Sequence, residues 1–270
     1  REIEPRAKTL GRALFSPSTA VVDPAACLDE LAADARREGI DLRWNTKYLG
    51  REGRAVRTSS GMIEAGYVVN AAGLYADRVA RDYGFSEGYR ILPFKGLYLY
   101  SDEPAGAFRA HIYPVPDIRN PFLGVHFTVT VDGHVKIGPT AIPALWRENY
   151  GGLAGFSATE LAEIACRQAG LFLGAGFDFR RLAWEEIQKN SKSVLASLAG
   201  RLADGVKASD YRRWGTPGIR AQLVDVKKKT LVMDFILEGD AHSMHVLNAV
   251  SPGFTCAMPF AAHVCDRIIG

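Results

Sequence analysis

The sequence predicts an α+β fold made of two interleaved domains. Strand patterns separated by turn residues dominate residues 40–138, helical periodicity dominates residues 157–205, and strand patterns return from residue 218. No repeat period or low-complexity segment interrupts this order. A chain of 270 residues is long enough for one large domain or two interleaved ones. Because strands lie on both sides of the helical block, we expect mixed sheets in two interleaved layers.

The first predicted element is a helix after Asp23. Asp23 is a favoured N-cap residue, Pro24 occupies the first helical position, and Gly39 supplies a stop. Leu28 and Leu31 recur with helical spacing on one face. These features predict a helix that ends before Gly39.

A short meander of strands is predicted next. Its segments are IDLRWNTKYLG, RAVRTSS and MIEAGYVVNAAG. The last of them ends at Gly73, where a helix in LYADRVARDYG begins. From Tyr89 to Val135 the chain is rich in Tyr, Phe, Val, Pro and Gly, which predicts an antiparallel sheet platform. The strands expected there are ILPFKGLYLY, AHIYPV, FLGVHFTVTV and GHVKIGPT.

The remaining chain is predicted to be helical and then stranded. Ser157 and Glu160 form a capping-box pattern, and helical periodicity continues through RRLAWEEIQKNSKSVLASLAGRLADG. Strands follow in GIRAQLVD, LVMDFILEG and HSMHVLNAV. The last strand breaks at Ser251-Pro252-Gly253, and a helix is expected to run to Gly270. The first N–H groups of such a helix can face an anion.

Composition argues against several functions. The net charge is +3 and the basic residues are scattered, so neither a nucleic-acid footprint nor a polybasic membrane patch is indicated, while small acidic ligands remain open. No run approaches the ~20 apolar residues that span a membrane. The cysteines form no C-x-x-C pair, which indicates a reducing compartment, no structural zinc and a cytoplasmic location, with peripheral membrane attachment left open. They are Cys27, Cys166, Cys256 and Cys265.

Common nucleotide and metal motifs are absent from the sequence. Gly174-Ala175-Gly176 lacks a third glycine at Phe179 and follows a helix, so it is interpreted as a turn. No G-x-x-x-x-G-K-[ST] motif occurs. His242 and His245 would point in opposite directions on the predicted strand, which does not favour a metal.

Two glycine turns are candidate ligand contacts. In GYVVNAAGLYAD, a strand runs into Ala71-Ala72-Gly73, whose small side chains would let a ligand lie against the backbone. Taken alone, this stretch is better interpreted as an ordinary turn from strand to helix. NAVSPGFT repeats the arrangement near the C-terminus, with a helix start that suits an anion.

A resemblance to a known family runs through the chain from residue 1 to residue 270. The segments that carry it are EIEP, VVNAAGLYADRVA, PFKGLYLY, HIYPVPDIRNPFLGVHFT, KIGPTAIPA, GIRAQL and NAVSPGFTCAMPFA. In this order they resemble the L-2-hydroxyglutarate dehydrogenase/oxidase group of the D-amino-acid-oxidase-like FAD proteins. The Ala-Ala-Gly turn is shared widely and indicates only a flavin, whereas YPVPDIRNPFLGVHFT and AVSPGFTCAMPFA are more particular.

The resemblance implies an FAD-dependent oxidation of a 2-hydroxy acid. The expected reaction is L-2-hydroxyglutarate to 2-oxoglutarate, with hydride transfer from C2 to flavin N5. The electron acceptor, a quinone or oxygen, stays open. Two alternatives also stay open: an amino-acid or amine oxidase of the same superfamily, and a non-catalytic module that binds carboxylates.

The resemblance also implies a domain plan. Residues 1–85 and 216–270 are expected to form an FAD-binding domain of the glutathione-reductase-like type, and residues 86–215 a substrate-binding domain. Family members open with a G-x-G-x-x-G segment that does not occur after Arg1, and they usually have glycine where this chain has Ala20. The FAD-binding domain is therefore expected to be truncated at its N-terminus.

The resemblance implies contacts between FAD and the two glycine turns. The start of the last helix would lie at the pyrimidine end of the flavin, where its positive dipole stabilises the anionic reduced ring. The expected cofactor residues are Tyr48, Ala71, Ala72, Gly73, Ser251, Pro252, Gly253, Phe254 and Thr255.

Four residues are expected to handle the substrate. Arg220 resembles the arginine that clamps a substrate carboxylate in relatives, which its planar guanidinium suits. Lys95 either extends its ammonium group to water or binds the second carboxylate. His126 is the expected general base, because it points away from Val125 and Phe127 on a strand. His111 is the competing base.

Overall fold

A computed structural model describes residues 2–116, 124–174, 179–249 and 252–270, apart from the side chains of Phe179 and Leu182. The chain divides into two compact units. The first unit comprises Arg1–Trp44, Gly96–Ala141 and Leu182–Pro217, and the second comprises Asn45–Lys95, Ile142–Arg181 and Gly218–Gly270. These limits differ from the predicted domain limits near residues 85 and 215. The assignment of an FAD-binding and a substrate-binding domain stays a prediction.

The first unit is built on a four-stranded antiparallel sheet of order β10-β6-β8-β7. One face of this sheet packs on helix α5, where Leu99, Phe127 and Ile137 are fully buried with Leu195 and Ala199. Burying each large side chain contributes ~1.5–3 kcal/mol. The elements are α1 (Pro24–Arg37), β6 (Leu99–Ser101), β7 (His126–Val129), β8 (Val135–Gly138), α5 (Lys192–Ala199) and β10 (Tyr211–Trp214).

The second unit contains three sheets. An antiparallel meander has the order β1-β2-β3, a four-stranded sheet has the order β12-β11-β5-β9, and a mixed sheet has the order β13-β14-β4. The strands are β1 (Tyr48–Glu52), β2 (Ala55–Thr58), β3 (Gly61–Glu64), β4 (Val68–Asn70), β5 (Tyr89–Gly96), β9 (Ile142–Pro143), β11 (Gly218–Asp225), β12 (Thr230–Leu231), β13 (Ile236–Gly239) and β14 (Ser243–Asn248). The helices are α2 (Ala76–Asp82), α3 (Ala158–Gly174) and α6 (Ala257–Ile269), and α4 (Phe179–Gln188) runs across the boundary between the units.

Both α+β content and the order of the elements confirm the predicted fold class. The first helix begins as expected, because the Asp23 carboxylate accepts the Ala25 N–H at 2.8 Å. The capping box is half formed, since Ser157 Oγ accepts the Glu160 N–H at 3.3 Å. No helix among the described residues combines the length and apolarity needed to cross a membrane.

Several predicted strands are shorter or divided. MIEAGYVVNAAG includes most of β3 and all of β4, which belong to different sheets, and LVMDFILEG includes the last residue of β12 and all of β13. ILPFKGLYLY divides at Leu97–Tyr98 into β5 and β6. In AHIYPV only Ile112 pairs, in an isolated bridge to Phe127. The predicted turn at Gly174-Ala175-Gly176 extends beyond the described residues.

Candidate functional site

The strands that precede the two glycine turns are neighbours in one sheet. Strands β4 and β14 are parallel, with His245 opposite Asn70 and Ser243 opposite Val68. Both strands therefore run toward the same edge, although β14 continues for three residues beyond His245, to Asn248. Such parallel ends are where a ligand of an open α/β sheet binds. Ser251 lies outside the described residues, so its predicted cofactor contact has no structural description.

The first turn exposes its backbone. Ala71, Ala72 and Gly73 are all exposed, and Gly73 has a positive φ of 53°. An added Cβ at Gly73 would meet no atom within 4 Å, so the glycine is required by backbone conformation and not by close packing. A single 3-10 turn, Gly73–Tyr75, then leads into α2. A flat ligand can therefore approach this backbone.

Asn70 ties the first turn to α2. Its Oδ1 accepts the Ala72 N–H at 3.1 Å, and its Nδ2 donates to the Ala76 carbonyl at 2.8 Å. Asn70 is 4 % exposed, so its bond to the Ala76 carbonyl lies in a dry environment where it is strong, while the bond from Ala72 is partly buried. The side chain thus fixes the turn from beneath.

The second turn opens α6 without a local negative charge. The Cys256 N–H donates to the Pro252 carbonyl at 2.9 Å, and the first turn of α6 has no acidic residue. Phe254 and Thr255 are exposed and Gly253 is half-buried. The positive end of the helix dipole is therefore not neutralised locally and can stabilise an anion.

These features fit the ring system of the expected FAD. An exposed turn of small residues offers backbone to a flat ring, and a helix start without a carboxylate suits a ring that becomes anionic. Ala71, Ala72 and Gly73 directly follow β4, and the described range 252–255 lies between its parallel neighbour β14 and α6.

The buried pair Arg147 and Asp77 supports the same turn. Arg147 donates to both carboxylate oxygens of Asp77, at 2.8 and 3.1 Å, and also to the Leu74 carbonyl within the 3-10 turn. Both side chains are at most 1 % exposed. Burial alone would raise the pKa of Asp77, but hydrogen bonds and charge from Arg147 outweigh burial and lower it. No sequence motif marks this pair, since residues 70 positions apart give no local signal.

Tyr48 lies at the other end of α2. Its hydroxyl donates to Asp82 Oδ2 at 2.9 Å, and burial together with this bond raises the pKa of the phenol. Asp82 is the last residue of α2, whereas Gly73 precedes its first, and a seven-residue helix is ~10 Å long. The structure therefore does not bring the Tyr48 hydroxyl to the turn.

Arg220 and Lys95 lie on neighbouring strands of one sheet. Strand β11, which carries Arg220, also contacts the 3-10 turn and β14. Lys95 on β5 donates from Nζ to Asn149 Oδ1 at 3.0 Å, and burial lowers the pKa of its ammonium group. The second unit thus groups both candidate carboxylate ligands with the elements that carry the glycine turns.

The two candidate bases lie in the first unit. Val125 and Phe127 are buried in the core with α5, so His126 points from the opposite face of the sheet, as its strand position predicts. The His126 ring is 3 % exposed and stacks on Tyr113 at 4.3 Å. His111 reaches the same strand, because its Nδ1 accepts the Val129 N–H at 3.0 Å.

Backbone partners set the tautomers of these histidines differently. His126 Nδ1 lies 3.0 Å from the Gly124 carbonyl, which can only accept, so the neutral ring carries its proton on Nδ1. Its Nε2 then has the lone pair that a base needs. His111 Nδ1 accepts the Val129 N–H, so its neutral ring carries the proton on Nε2. Burial also lowers the pKa of His111.

Lys136 is a further candidate that was not among the predicted site residues, and it lies on the His126 face of the sheet. Lys136 opposes Thr128, two positions from His126, and its Nζ is 4.6 Å from the centroid of the Tyr98 ring. Burial lowers the pKa of this ammonium group. The alternation in V-K-I-G was the available signal, because it places Lys136 opposite to the buried Val135 and Ile137.

No cluster of His, Cys, Asp and Glu among the described residues could hold a metal ion. His242 is exposed in the turn before β14, whereas His245 is buried within the strand.

Comparisons with known proteins agree on one family. The sequence profile described as "FAD dependent oxidoreductase" (DAO) matches residues 1–267. L-2-hydroxyglutarate dehydrogenase of Escherichia coli strain K12 is 32% identical over 282 residues, which cover 99% of this chain and 64% of that protein. The human mitochondrial L-2-hydroxyglutarate dehydrogenase is 32% identical over 278 residues, covering 95% of this chain and 59% of that protein. The chain therefore spans less than two thirds of the length of each of these relatives.

Solved structures show the same fold at lower identity. Dithionite-reduced L-alpha-glycerophosphate oxidase from Mycoplasma pneumoniae with FAD bound has a TM-score of 0.59 at 17% identity, covering 89% of this chain and 54% of that one. Glycine oxidase from Geobacillus kaustophilus has a TM-score of 0.55 at 17% identity, covering 90% of this chain and 52% of that one.

Proposed function

Because this chain belongs to the FAD-dependent oxidoreductase family, we propose that it is the larger part of an enzyme that oxidises L-2-hydroxyglutarate to 2-oxoglutarate. The observation that carries the proposal is the 32% identity to L-2-hydroxyglutarate dehydrogenases across 99% of the chain. The parallel pairing of β4 and β14, which precede the two glycine turns, and the contacts of β11, which carries Arg220, with the 3-10 turn and β14 support it.

FAD, when bound, supplies the acceptor for the hydride that leaves C2 of the substrate. The backbone of residues 71–73 and 253–255 would hold the flavin ring, and the start of α6 would stabilise negative charge there. Arg220 would bind one substrate carboxylate through its two parallel N–H donors. Lys95 would bind the second carboxylate.

His126 is proposed as the general base. Its Nε2 would accept the hydroxyl proton while Nδ1 keeps donating to Gly124, so the ring needs no rearrangement during the reaction. His111 would lose its bond from Val129 if Nδ1 took up a proton. This difference in tautomer favours His126 over His111.

Anaerobic flavin reduction in the full-length protein tests the proposed substrate. We expect L-2-hydroxyglutarate to bleach the flavin, while its D-enantiomer, glycine, other amino acids and glycerol 3-phosphate leave it oxidised. Bleaching by amino acids instead would indicate the amine-oxidase alternative. A full-length protein that binds 2-hydroxyglutarate but no flavin would indicate a non-catalytic carboxylate-binding module.

The electron acceptor and location form a second part of the proposal. We propose a quinone or oxygen as the acceptor, with the protein in the cytoplasm or attached peripherally to a membrane. Reoxidation of the reduced enzyme by a soluble quinone analogue and by dissolved oxygen, compared at equal concentration, identifies the acceptor. Fractionation of cells, with and without a high-salt wash, tests the location.

A further inference from the structure

A chain of buried hydrogen bonds leads from His245 to the first glycine turn. Asn70 Nδ2 contacts His245 Nδ1 at 3.1 Å, and His245 Nε2 contacts Ser243 Oγ at 3.1 Å. Ser243 Oγ in turn donates to Asp240 Oδ1 at 3.2 Å. His245 is fully buried, and none of the contacts proposed for substrate binding or proton transfer uses it.

Backbone groups at one end of the chain fix the direction of every bond. The Ala72 N–H can only donate and the Ala76 carbonyl can only accept, so Asn70 must present Oδ1 to Ala72 and Nδ2 to Ala76. The second hydrogen on Nδ2 then points at His245 Nδ1, which must accept it. The neutral His245 ring therefore carries its proton on Nε2 and donates to Ser243.

A proton on His245 Nδ1 would place two donors against each other. Asn70 could relieve this contact only by turning its amide, which would set Oδ1 toward Ala76 and Nδ2 toward Ala72. Both backbone bonds would then be lost, because each would join two donors or two acceptors. The state of His245 thus decides whether Asn70 can hold the turn.

We propose that His245 is a positioning residue that acts through Asn70 on the turn Ala71–Gly73, holding the turn when neutral and releasing it when protonated. The link to cofactor binding rests on the proposed function, because it needs this turn to contact FAD. The hydrogen-bond chain itself does not depend on FAD.

Several elements surround His245 and determine how readily it is protonated. Burial among these elements has the largest effect on the pKa of His245 and disfavours the charged ring. The negative charge of Asp240 favours the charged ring, whereas the positive charge of Arg51 on β1 disfavours it. Glu238 on β13 faces His245 across the strand pair, but its carboxylate already accepts the Ser86 N–H at 2.6 Å. The rings of Tyr83 and Phe85 each lie 5.0 Å from the imidazole.

Nuclear magnetic resonance of the labelled 270-residue chain tests the proposal without cofactor. The imidazole nitrogens of His245 should show Nε2 protonated and Nδ1 unprotonated at neutral pH. The Ala72 amide resonance should move as His245 becomes protonated in acid. His245→Asn, which can keep an acceptor at the Nδ1 position, should leave this resonance in place and remove its acid response. The proposal would be overturned by a proton on Nδ1 at neutral pH, or by an Ala72 amide resonance that does not change when the pH is lowered.

His245→Gln and Ser243→Ala are the matched variants. Gln places its amide at the Nε2 position and offers no acceptor at Nδ1, so the Ala72 resonance should move even at neutral pH. Ser243→Ala removes only the partner of Nε2 and should leave Ala72 unchanged. The Leu195 amide, in the first unit, should be unaffected in each variant and shows that the chain is folded. An unmoved Ala72 amide in a folded His245→Gln chain would contradict the proposal.

The full-length protein separates this inference from the proposed function. FAD affinity should fall about tenfold in His245→Gln and be retained in His245→Asn, as expected for loss of one buried hydrogen bond. If Ala72 responds as described while FAD affinity and the flavin spectrum do not change, His245 holds the turn, but the turn does not contact FAD. That result would overturn the proposed cofactor site alone.

Discussion

At the scale of single residues, Arg220 is the most direct test of substrate recognition. In the full-length protein, Arg220→Ala should raise KM for L-2-hydroxyglutarate by ~30–1000-fold, because losing a bidentate charge pair that bound substrate would shield from water costs ~2–4 kcal/mol. The flavin spectrum should persist, since the arginine is proposed to contact only substrate. Lys95→Met is the comparison variant and should weaken dicarboxylates more than monocarboxylates. Unchanged kinetics in Arg220→Ala would place the clamp elsewhere.

His126 and His111 form a matched pair for the proton-transfer step. His126→Gln should slow flavin reduction by ~10²–10⁴-fold while substrate still binds, as expected for a lost general base. His111→Gln should leave the rate within a few-fold, because its Nδ1 is occupied by the Val129 N–H. Stopped-flow reduction of each variant under saturating substrate gives the comparison.

The pH profile gives a second measure of the same residue. A protonated His126 cannot accept the hydroxyl proton, so kcat/KM should fall at acidic pH and reach a plateau at higher pH. His126→Gln should lack this acid limb. If His111→Gln loses the limb and His126→Gln retains it, the assignment of the two histidines is reversed.

At the scale of elements, the buried pair Arg147 and Asp77 holds α2 and the 3-10 turn together. Arg147→Met should lower the free energy of unfolding by ~3–5 kcal/mol, because the buried Asp77 carboxylate loses its bidentate partner and keeps only the Ile91 N–H and the partly exposed Arg81, 3.4 Å away. Changing both residues, Arg147 to Met and Asp77 to Leu, should cost less than Arg147→Met alone, since the buried carboxylate is removed together with its partner. Urea unfolding measures these differences.

An exposed ion pair in the same unit supplies the control. Lys228 and Asp225 lie 3.6 Å apart, and the lysine side chain is 78% exposed. Lys228→Met should change the free energy of unfolding by no more than ~1 kcal/mol. Equal effects of Arg147→Met and Lys228→Met would contradict the structural importance of the buried pair.

Predictions from sequence succeed where short-range chemistry determines the element. Asp23, Pro24 and Gly39 define α1, and GIRAQLVD corresponds to β11 from its first residue to its last. The predictions are less accurate where tertiary pairing decides. MIEAGYVVNAAG is predicted as a single strand segment, yet Val68–Asn70 pairs with β14 while Gly61–Glu64 pairs with β2. No local pattern distinguishes these partners.

The same limit applies to the candidate site. Glycine content and small residues identify the turn at Gly73, because backbone conformation requires them. Asn70 holds this turn through local bonds, but its own partner His245 is 175 positions away, and Arg147 is 70 positions from Asp77. The sequence shows that each of these residues is charged or polar, but it does not show which residue each one bonds.

At the scale of the whole molecule, His245 should contribute to acid sensitivity. Burial lowers the pKa of His245 in the folded chain, whereas an unfolded histidine has a pKa of ~6.5. The unfolded chain therefore binds more protons as pH falls below ~6.5, and the free energy of unfolding decreases toward the lowered folded pKa. Above ~6.5 this contribution to stability is fully present.

A pair of histidine variants isolates this effect. His245→Asn should flatten the decrease in unfolding free energy across this window, because asparagine does not titrate. His242→Asn changes an exposed histidine three positions away and should leave the decrease as it is. Urea unfolding at a series of pH values provides the measurement, and identical slopes in wild type and His245→Asn would refute the prediction.

The pairing of β4 with β14 has a consequence for how the chain is made. Asn70 and His245, which face each other in that sheet, are separated by 175 positions. At ~5–20 residues per second, a ribosome needs ~9–35 seconds to add the segment between them. The first unit is complete once residue 217 has emerged, whereas the second needs strands that end at residue 248. During translation, the backbone N–H and C=O groups of β4 therefore have no β14 to pair with until the end of the chain is made. The unit that holds both glycine turns assembles last.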